Sequence, residues 1–114
     1  MTIPRQVYAI QHNVTGKIYV GSSAKPEHRY KTHIYSLRSG KHNIREMQED
    51  FINYGEDYSF YILETIERFE DRGKEYEWMK KLGSCDKNKG YNYKDAGVKG
   101  MVIPLKAGVP KPNN

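Results

Sequence analysis

Two short β-prone segments separated by a turn open the chain and constrain its fold more than any other feature. They are residues 6 to 11 (Gln-Val-Tyr-Ala-Ile-Gln) and 17 to 21 (Lys-Ile-Tyr-Val-Gly), both containing β-branched and aromatic residues. Between them, Asn13-Val14-Thr15-Gly16 supplies turn-forming residues. This order predicts an antiparallel hairpin.

Helical patterns and one further strand follow the hairpin. Helix-start, helix-stop and strand patterns predict a helix from Pro26 to near Gly40, a helix from about Asn43 to Gly55, a strand at 58 to 65, a helix from about Glu70 to Leu82, and a last short strand or turn at 90 to 93. The predicted order is therefore ββααβα(β), an α/β (α+β) domain.

The length of 114 residues fits one domain, which we expect to occupy residues 1 to 95. Residues 96 to 114 carry three lysines and no acid among several glycines and prolines, which is typical of a basic tail or linker. The net charge of +5 is compatible with a polyanionic partner. Because the tail supplies +3 of it, residues 1 to 95 hold only about +2, and we expect weak DNA binding.

The single cysteine, Cys85, excludes an intramolecular disulfide and multi-cysteine zinc motifs. No apolar run approaches the roughly 20 residues of a membrane helix, and the first residues lack the apolar segment of a signal peptide. We therefore expect a soluble, cytoplasmic protein.

Glu75 is the sharpest candidate for a functional side chain. Trp78, Met79 and Leu82 follow it at helical spacing, so the carboxylate heads the stripe that should face the core. A divalent cation would offset the cost of burying it, and Mg²⁺ favours one or two carboxylates with water and phosphate oxygens. From the pattern alone, a solvated glutamate favoured by the helix dipole ranks ahead of a metal ligand.

Arg29 and His33 share one column of the first helix, at the solvent border of its apolar stripe. An arginine fork suits phosphate oxygens and a histidine titrates near neutral pH, although a solvated helix face is the commoner explanation. Tyr8 and Tyr19 lie on facing strands and act on one site only if the register turns both rings to the same face. His42 precedes the second helix, and its pattern alone suits a capping residue.

Taken together, these residues resemble the GIY-YIG endonuclease family over residues 6 to about 95, and in particular the nuclease domain of phage and intron-encoded homing endonucleases. Gln6-Val7-Tyr8 and Tyr19-Val20-Gly21 are similar to the two tripeptides that name the family. Arg29, His33, Glu75 and Asn92 follow in the family's order. Gln6 departs from the family's glycine and adds a side chain where the pattern has none.

The resemblance implies a small antiparallel three-stranded sheet flanked by helices and a metal-dependent phosphodiester hydrolase acting on duplex DNA. It implies that Tyr8 and Tyr19 flank the attacking water, that Arg29 contacts the phosphate and that Glu75 binds one divalent metal, Mg²⁺ or else Mn²⁺. It assigns His33 and His42 to proton transfer or backbone contact, and Asn92 to a supporting polar position. No small-molecule cofactor is expected, and homing members attach a C-terminal DNA-targeting domain through a linker.

We expect Tyr8 to activate the water, His33 to accept the Tyr8 proton and Tyr19 to support, with the two tyrosine roles open to exchange. Two other functions stay open from the sequence. One is a structure-specific nuclease acting on branched or damaged DNA, and the other is a DNA-binding module that has lost cleavage. A phage or bacterial host cell is the expected setting.

Overall fold

The computed structural model describes residues 4–67 and 73–92. In these residues the chain forms six elements: β1 (Arg5–His12), β2 (Ile18–Ser23), α1 (Pro26–Arg38), α2 (Arg45–Tyr54), β3 (Tyr58–Ile66) and α3 (Lys74–Leu82). The strands make one antiparallel sheet in the order β2-β1-β3. The predicted fold class is confirmed.

Local sequence accounts for most of the element ends. Gly16 adopts a positive φ of 79° in the hairpin turn, and its amide donates to the His12 carbonyl at 2.8 Å. Pro26 occupies the first turn of α1, where its missing amide hydrogen costs nothing. Gly83 ends α3 in the left-handed conformation, and its amide donates a hydrogen bond to carbonyls in the last turn of the helix.

Central strand β1 is buried on both faces, and its alternating side chains belong to two hydrophobic clusters. Tyr8 and Ile10 pack with residues of α1 and α2 on one face. On the other face, Val7 packs with Met79 of α3. The sheet is therefore covered by helices on both sides, and β2 remains an edge strand.

The segment 89 to 92 runs along the outer edge of β2. Ile18 exchanges backbone hydrogen bonds with it, donating to the Lys89 carbonyl and accepting from the Tyr91 amide. Gly90 makes an isolated parallel bridge to Ile18 and no strand follows within the described residues, so the predicted last strand is reduced to this contact. The predicted start of the third helix at Glu70, the predicted turn residue Tyr93 and the tail 96 to 114 lie outside the described residues.

None of the helices in these two ranges is long and apolar enough to cross a membrane.

Candidate active site

The register of the hairpin turns both predicted tyrosines toward α1. Tyr8 pairs with Gly21, and Tyr19, two residues earlier on β2, pairs with Ile10. Because side chains alternate along a strand, residues 19 and 21 share a face, and the two rings meet diagonally with centroids 6.2 Å apart. The two hydroxyl-bearing side chains therefore belong to one site.

Gly21 leaves the space that the two rings occupy. A Cβ atom at this position would lie 2.8 Å from the Tyr8 hydroxyl oxygen and 3.0 Å from Cε2 of Tyr19. The close approach of side chains to the backbone, and not an unusual φ, makes glycine necessary here. In the sequence, this glycine stands out only as part of the tripeptide Tyr19-Val20-Gly21.

His33 extends the site from α1. Its Nε2 lies 3.3 Å from the Tyr8 hydroxyl, and its ring centroid is 5.0 Å from that of Tyr19. The prediction that it lies at the solvent border is wrong, because His33 faces the sheet and is only 8% exposed. Arg29, one turn earlier, is exposed as predicted.

His42 completes a chain of three polar side chains. Its Nε2 is 2.8 Å from Nδ1 of His33, and the two rings stack with centroids 5.0 Å apart. Two contacts that sequence reasoning missed fix its position. The Ile44 amide donates to Nδ1 of His42 at 3.0 Å, and the His42 amide donates to Oε1 of Gln48 at 3.0 Å.

The surroundings of His33, His42, Tyr8 and Tyr19 keep all four side chains neutral at pH 7. Burial, helped by the nearby His42 and Arg29, lowers the pKa of His33 to about 4. Burial also lowers the pKa of His42 and raises the pKa of Tyr19. For Tyr8, burial raises the pKa, but hydrogen bonding and the positive charge of Arg29 oppose that effect. The positive charge of the Arg29 guanidinium thus favours the ionised form of the Tyr8 hydroxyl.

Glu75 approaches the end of β2 from α3, on the other face of the sheet. Its Oε1 accepts a hydrogen bond of 2.7 Å from the Ser22 hydroxyl, next to Gly21. The predicted stripe is only partly core: Met79 is buried, while Glu75 itself is half-buried. Arg5 also reaches this end of β2, donating to the Ser22 carbonyl at 2.9 Å.

The carboxylate of Glu75 suits a divalent cation that keeps most of its water. Among residues 4–67 and 73–92, its second oxygen, Oε2, accepts no hydrogen bond, so it is available as a ligand. The same ranges hold no group of three or more His, Cys, Asp or Glu side chains that could enclose a metal. This donor set fits Mg²⁺, which binds through one or two carboxylates plus water and phosphate oxygens, and it does not fit a closed structural site.

Asn92 lies outside the hydrogen-bonded chain of Tyr8, His33 and His42. Its side chain accepts from the Val20 amide at 2.8 Å and donates to the Val20 carbonyl at 3.0 Å, as a neighbouring strand would. Val20 stands between Tyr19 and Gly21, so Asn92 fixes the backbone that carries both. These contacts are with the backbone of β2, and the supporting role in the site that the resemblance implies for Asn92 stays a prediction.

Gln6, whose side chain stands where the family has glycine, has a simple position. The Gln6 side chain donates to the Thr65 hydroxyl at 3.3 Å, across the β1–β3 pair. The Gln6 side chain therefore leans toward β3 and away from β2. Phe60, which sequence reasoning did not single out, packs against the Tyr8 ring with centroids 5.9 Å apart.

Comparison with known proteins identifies the family of this chain. The sequence model of the GIY-YIG catalytic domain matches residues 5–92. The chain belongs to the GIY-YIG family. An intron-associated endonuclease 1 from Enterobacteria phage T4 is 37% identical over 109 residues, which cover 92% of this chain but 44% of that protein.

Two solved structures share the fold. The catalytic domain of the homing endonuclease I-TevI superposes with a TM-score of 0.69 at 33% identity, covering 78% of this chain and 97% of that domain. A mutant form of the same domain gives a TM-score of 0.69 at 32% identity, with 78% and 92% covered. The predicted membership of the GIY-YIG endonuclease family is confirmed, while the roles of the individual site residues stay predictions.

Proposed function

We propose that this chain is the catalytic domain of a homing-type GIY-YIG endonuclease, which hydrolyses DNA phosphodiester bonds with the help of one Mg²⁺ or Mn²⁺ ion. The observation that carries the proposal is the convergence of the Tyr8 hydroxyl, the His33–His42 pair and the Arg29 guanidinium at the end of β2. A DNA substrate sets this activity in the cytoplasm of a bacterial or phage-infected cell.

Arg29 is the residue we assign to the scissile phosphate. It is exposed, so a DNA backbone can reach it, and its guanidinium can donate two parallel hydrogen bonds to phosphate oxygens. Attack by water concentrates negative charge on those oxygens, and a fixed cation stabilises that charge where it develops.

Tyr8 is the residue we assign to the attacking water. As a phenolate it would take one proton from the water while the new P–O bond forms and the bond to the leaving oxygen breaks. Its contact with His33 and the influence of Arg29 favour this role. Tyr19, whose pKa is raised by burial and by the nearby Tyr8 and Glu75, supplies a supporting hydroxyl.

Glu75 is the residue that would hold the metal ion, through the oxygen that Ser22 leaves available. Bound there, a divalent cation would offset negative charge on the phosphate and lower the pKa of a coordinated water. The Ser22 hydroxyl would orient the Glu75 carboxylate both with and without a bound metal ion.

We assign the selection of the DNA target sequence to a domain other than this one. The chain spans less than half the length of the T4 relative, and residues 1 to 95 carry only about +2. We propose that this domain binds duplex DNA weakly, with a Kd of roughly 10⁻⁴ to 10⁻⁶ M at physiological salt, and that a separate C-terminal domain of the homing enzyme selects the target. Titration against random and defined duplexes at several salt concentrations tests this, and nanomolar, sequence-selective binding would contradict it.

Conversion of supercoiled plasmid to nicked or linear DNA tests the enzymatic proposal. We expect conversion with Mg²⁺ or Mn²⁺ and none with excess chelator. Plasmid that stays supercoiled with either metal at enzyme excess would favour a binding module instead. Branched substrates cleaved far faster than linear duplex would favour a structure-specific nuclease over a homing type.

A further inference from the structure

The His33–His42 pair is anchored at one end by a group whose hydrogen-bonding direction is fixed. A backbone amide can only donate, and the Ile44 amide points at Nδ1 of His42 from 3.0 Å. A neutral imidazole that accepts at one ring nitrogen carries its proton on the other. His42 therefore carries its proton on Nε2.

The same logic passes along the chain to the tyrosine. Nε2 of His42 is 2.8 Å from Nδ1 of His33, so Nδ1 of His33 must accept that proton. The His33 proton then lies on Nε2, 3.3 Å from the Tyr8 hydroxyl oxygen. The reverse direction would set an imidazole N–H against the Ile44 amide hydrogen.

We propose that the Ile44 amide and His42 lock His33 in its Nε2-protonated tautomer, so that His33 donates a hydrogen bond to Tyr8. His42 is then a positioning residue, which acts on Tyr8 through His33 and touches no reacting atom. The low pKa of His33 agrees with a ring that stays neutral at pH 7. The expectation from sequence that His33 accepts the Tyr8 proton is thereby reversed.

The α1–α2 connection is built to hold His42 in this orientation. Gln48 accepts from the His42 amide through Oε1 and donates from Nε2 to the Leu37 carbonyl at 3.0 Å. These two bonds join the backbone beside His42 to the last turn of α1. The ring is thus fixed on both its backbone side and its Nδ1 side.

The direction of the hydrogen bond has a chemical consequence for Tyr8. Its oxygen receives a donor from His33 and faces the Arg29 cation, and both stabilise the phenolate. The proton that Tyr8 loses goes to a solvent water, because Nε2 of His33 is already protonated. The phenolate then takes a proton from the attacking water, which restores Tyr8, and the leaving oxygen takes a proton from solvent. This consequence, unlike the tautomer itself, rests on the proposed nuclease function.

Ring-nitrogen NMR of the full chain tests the tautomer without DNA or metal. His33→Gln assigns the His33 signals by their loss. At about pH 8.5, two units above the ordinary pKa of histidine, we expect a protonated Nε2 and an unprotonated Nδ1 for both His33 and His42. A His33 ring protonated on Nδ1, or an equal mixture, would overturn the proposal even if the chain cleaves DNA.

Two substitutions at His42 extend the test to kinetics. His42→Gln keeps an N–H donor toward His33, whereas His42→Asp offers only an acceptor and should move the His33 proton to Nδ1. We expect His42→Asp to lower the single-turnover cleavage rate by about 30-fold or more with unchanged DNA affinity, and His42→Gln to lose under about 5-fold. An aspartate variant that cleaves as fast as the glutamine variant would refute the donor role. Cleavage absent from the wild-type protein would refute the proposed function and leave the tautomer measurement standing.

Discussion

Gly21 lies directly across the β1–β2 pair from Tyr8, and the Tyr8 ring end fills the space where a side chain at residue 21 would begin. This relationship links the family's second tripeptide to its first. Glycine at this position is required by the Tyr8 hydroxyl and the Tyr19 ring, whose placement depends on the empty space above the strand.

Gly21→Ala should therefore damage both activity and stability. The added methyl would displace the Tyr8 hydroxyl, and displacements of about 1 Å can cost roughly 10²-fold in rate, while overpacking costs about 1–3 kcal/mol. Single-turnover cleavage and urea denaturation measure the two effects. Gly73→Ala is the matched control, since no atom of residues 4–67 and 73–92 lies within 4 Å of a Cβ there, and it should change neither quantity appreciably. Normal cleavage by Gly21→Ala would mean that the hydroxyl position is not critical.

Glu75→Gln tests the assignment of the metal ligand. The amide keeps the size of the side chain and can still accept from Ser22, but it loses the charge that attracts a divalent cation. We expect metal-dependent nicking to disappear with the melting temperature nearly unchanged. Glu77→Gln, an exposed neighbour on α3, should cleave normally. Wild-type cleavage by Glu75→Gln would remove this residue from the metal site.

The buried His33 should make the fold less stable in mild acid. Its pKa is lowered from 6.5 to about 4, so the unfolded chain binds more protons, and stability falls as pH drops through the range from 6.5 to 4. The loss between pH 7 and pH 4 is about 3 kcal/mol. Comparing unfolding free energies of wild type and His33→Gln over this range isolates the effect. A pH dependence identical in the two proteins would contradict the burial of a neutral ring.

Local sequence predicted the elements of this domain well, because their ends depend on nearby residues. Gly16 in the hairpin turn, Pro26 at the start of α1 and Gly83 at the end of α3 act within one turn of their own positions. The same local signals gave the order of strands and helices.

Orientation and long-range contacts could not be predicted in this way. Helical spacing showed that Arg29 and His33 share a column, but whether that column faces the sheet depends on how α1 packs, and His33 proved to be buried. Asn92 binds Val20 across 72 residues of sequence. The hydrogen bond that anchors His42 comes from a backbone amide, which no side-chain pattern reveals.

The single-turnover cleavage rate of Tyr8→Phe tests the central claim most directly, because this change removes one oxygen atom from the centre of the site. We predict a loss of about 10²-fold or more with unchanged DNA affinity, a smaller loss for Tyr19→Phe and none for Tyr35→Phe, whose ring is 72% exposed. A greater loss for Tyr19→Phe would exchange the two tyrosine roles. Normal cleavage by both Tyr8→Phe and Tyr19→Phe would contradict the account, because the tyrosines would then be packing residues only.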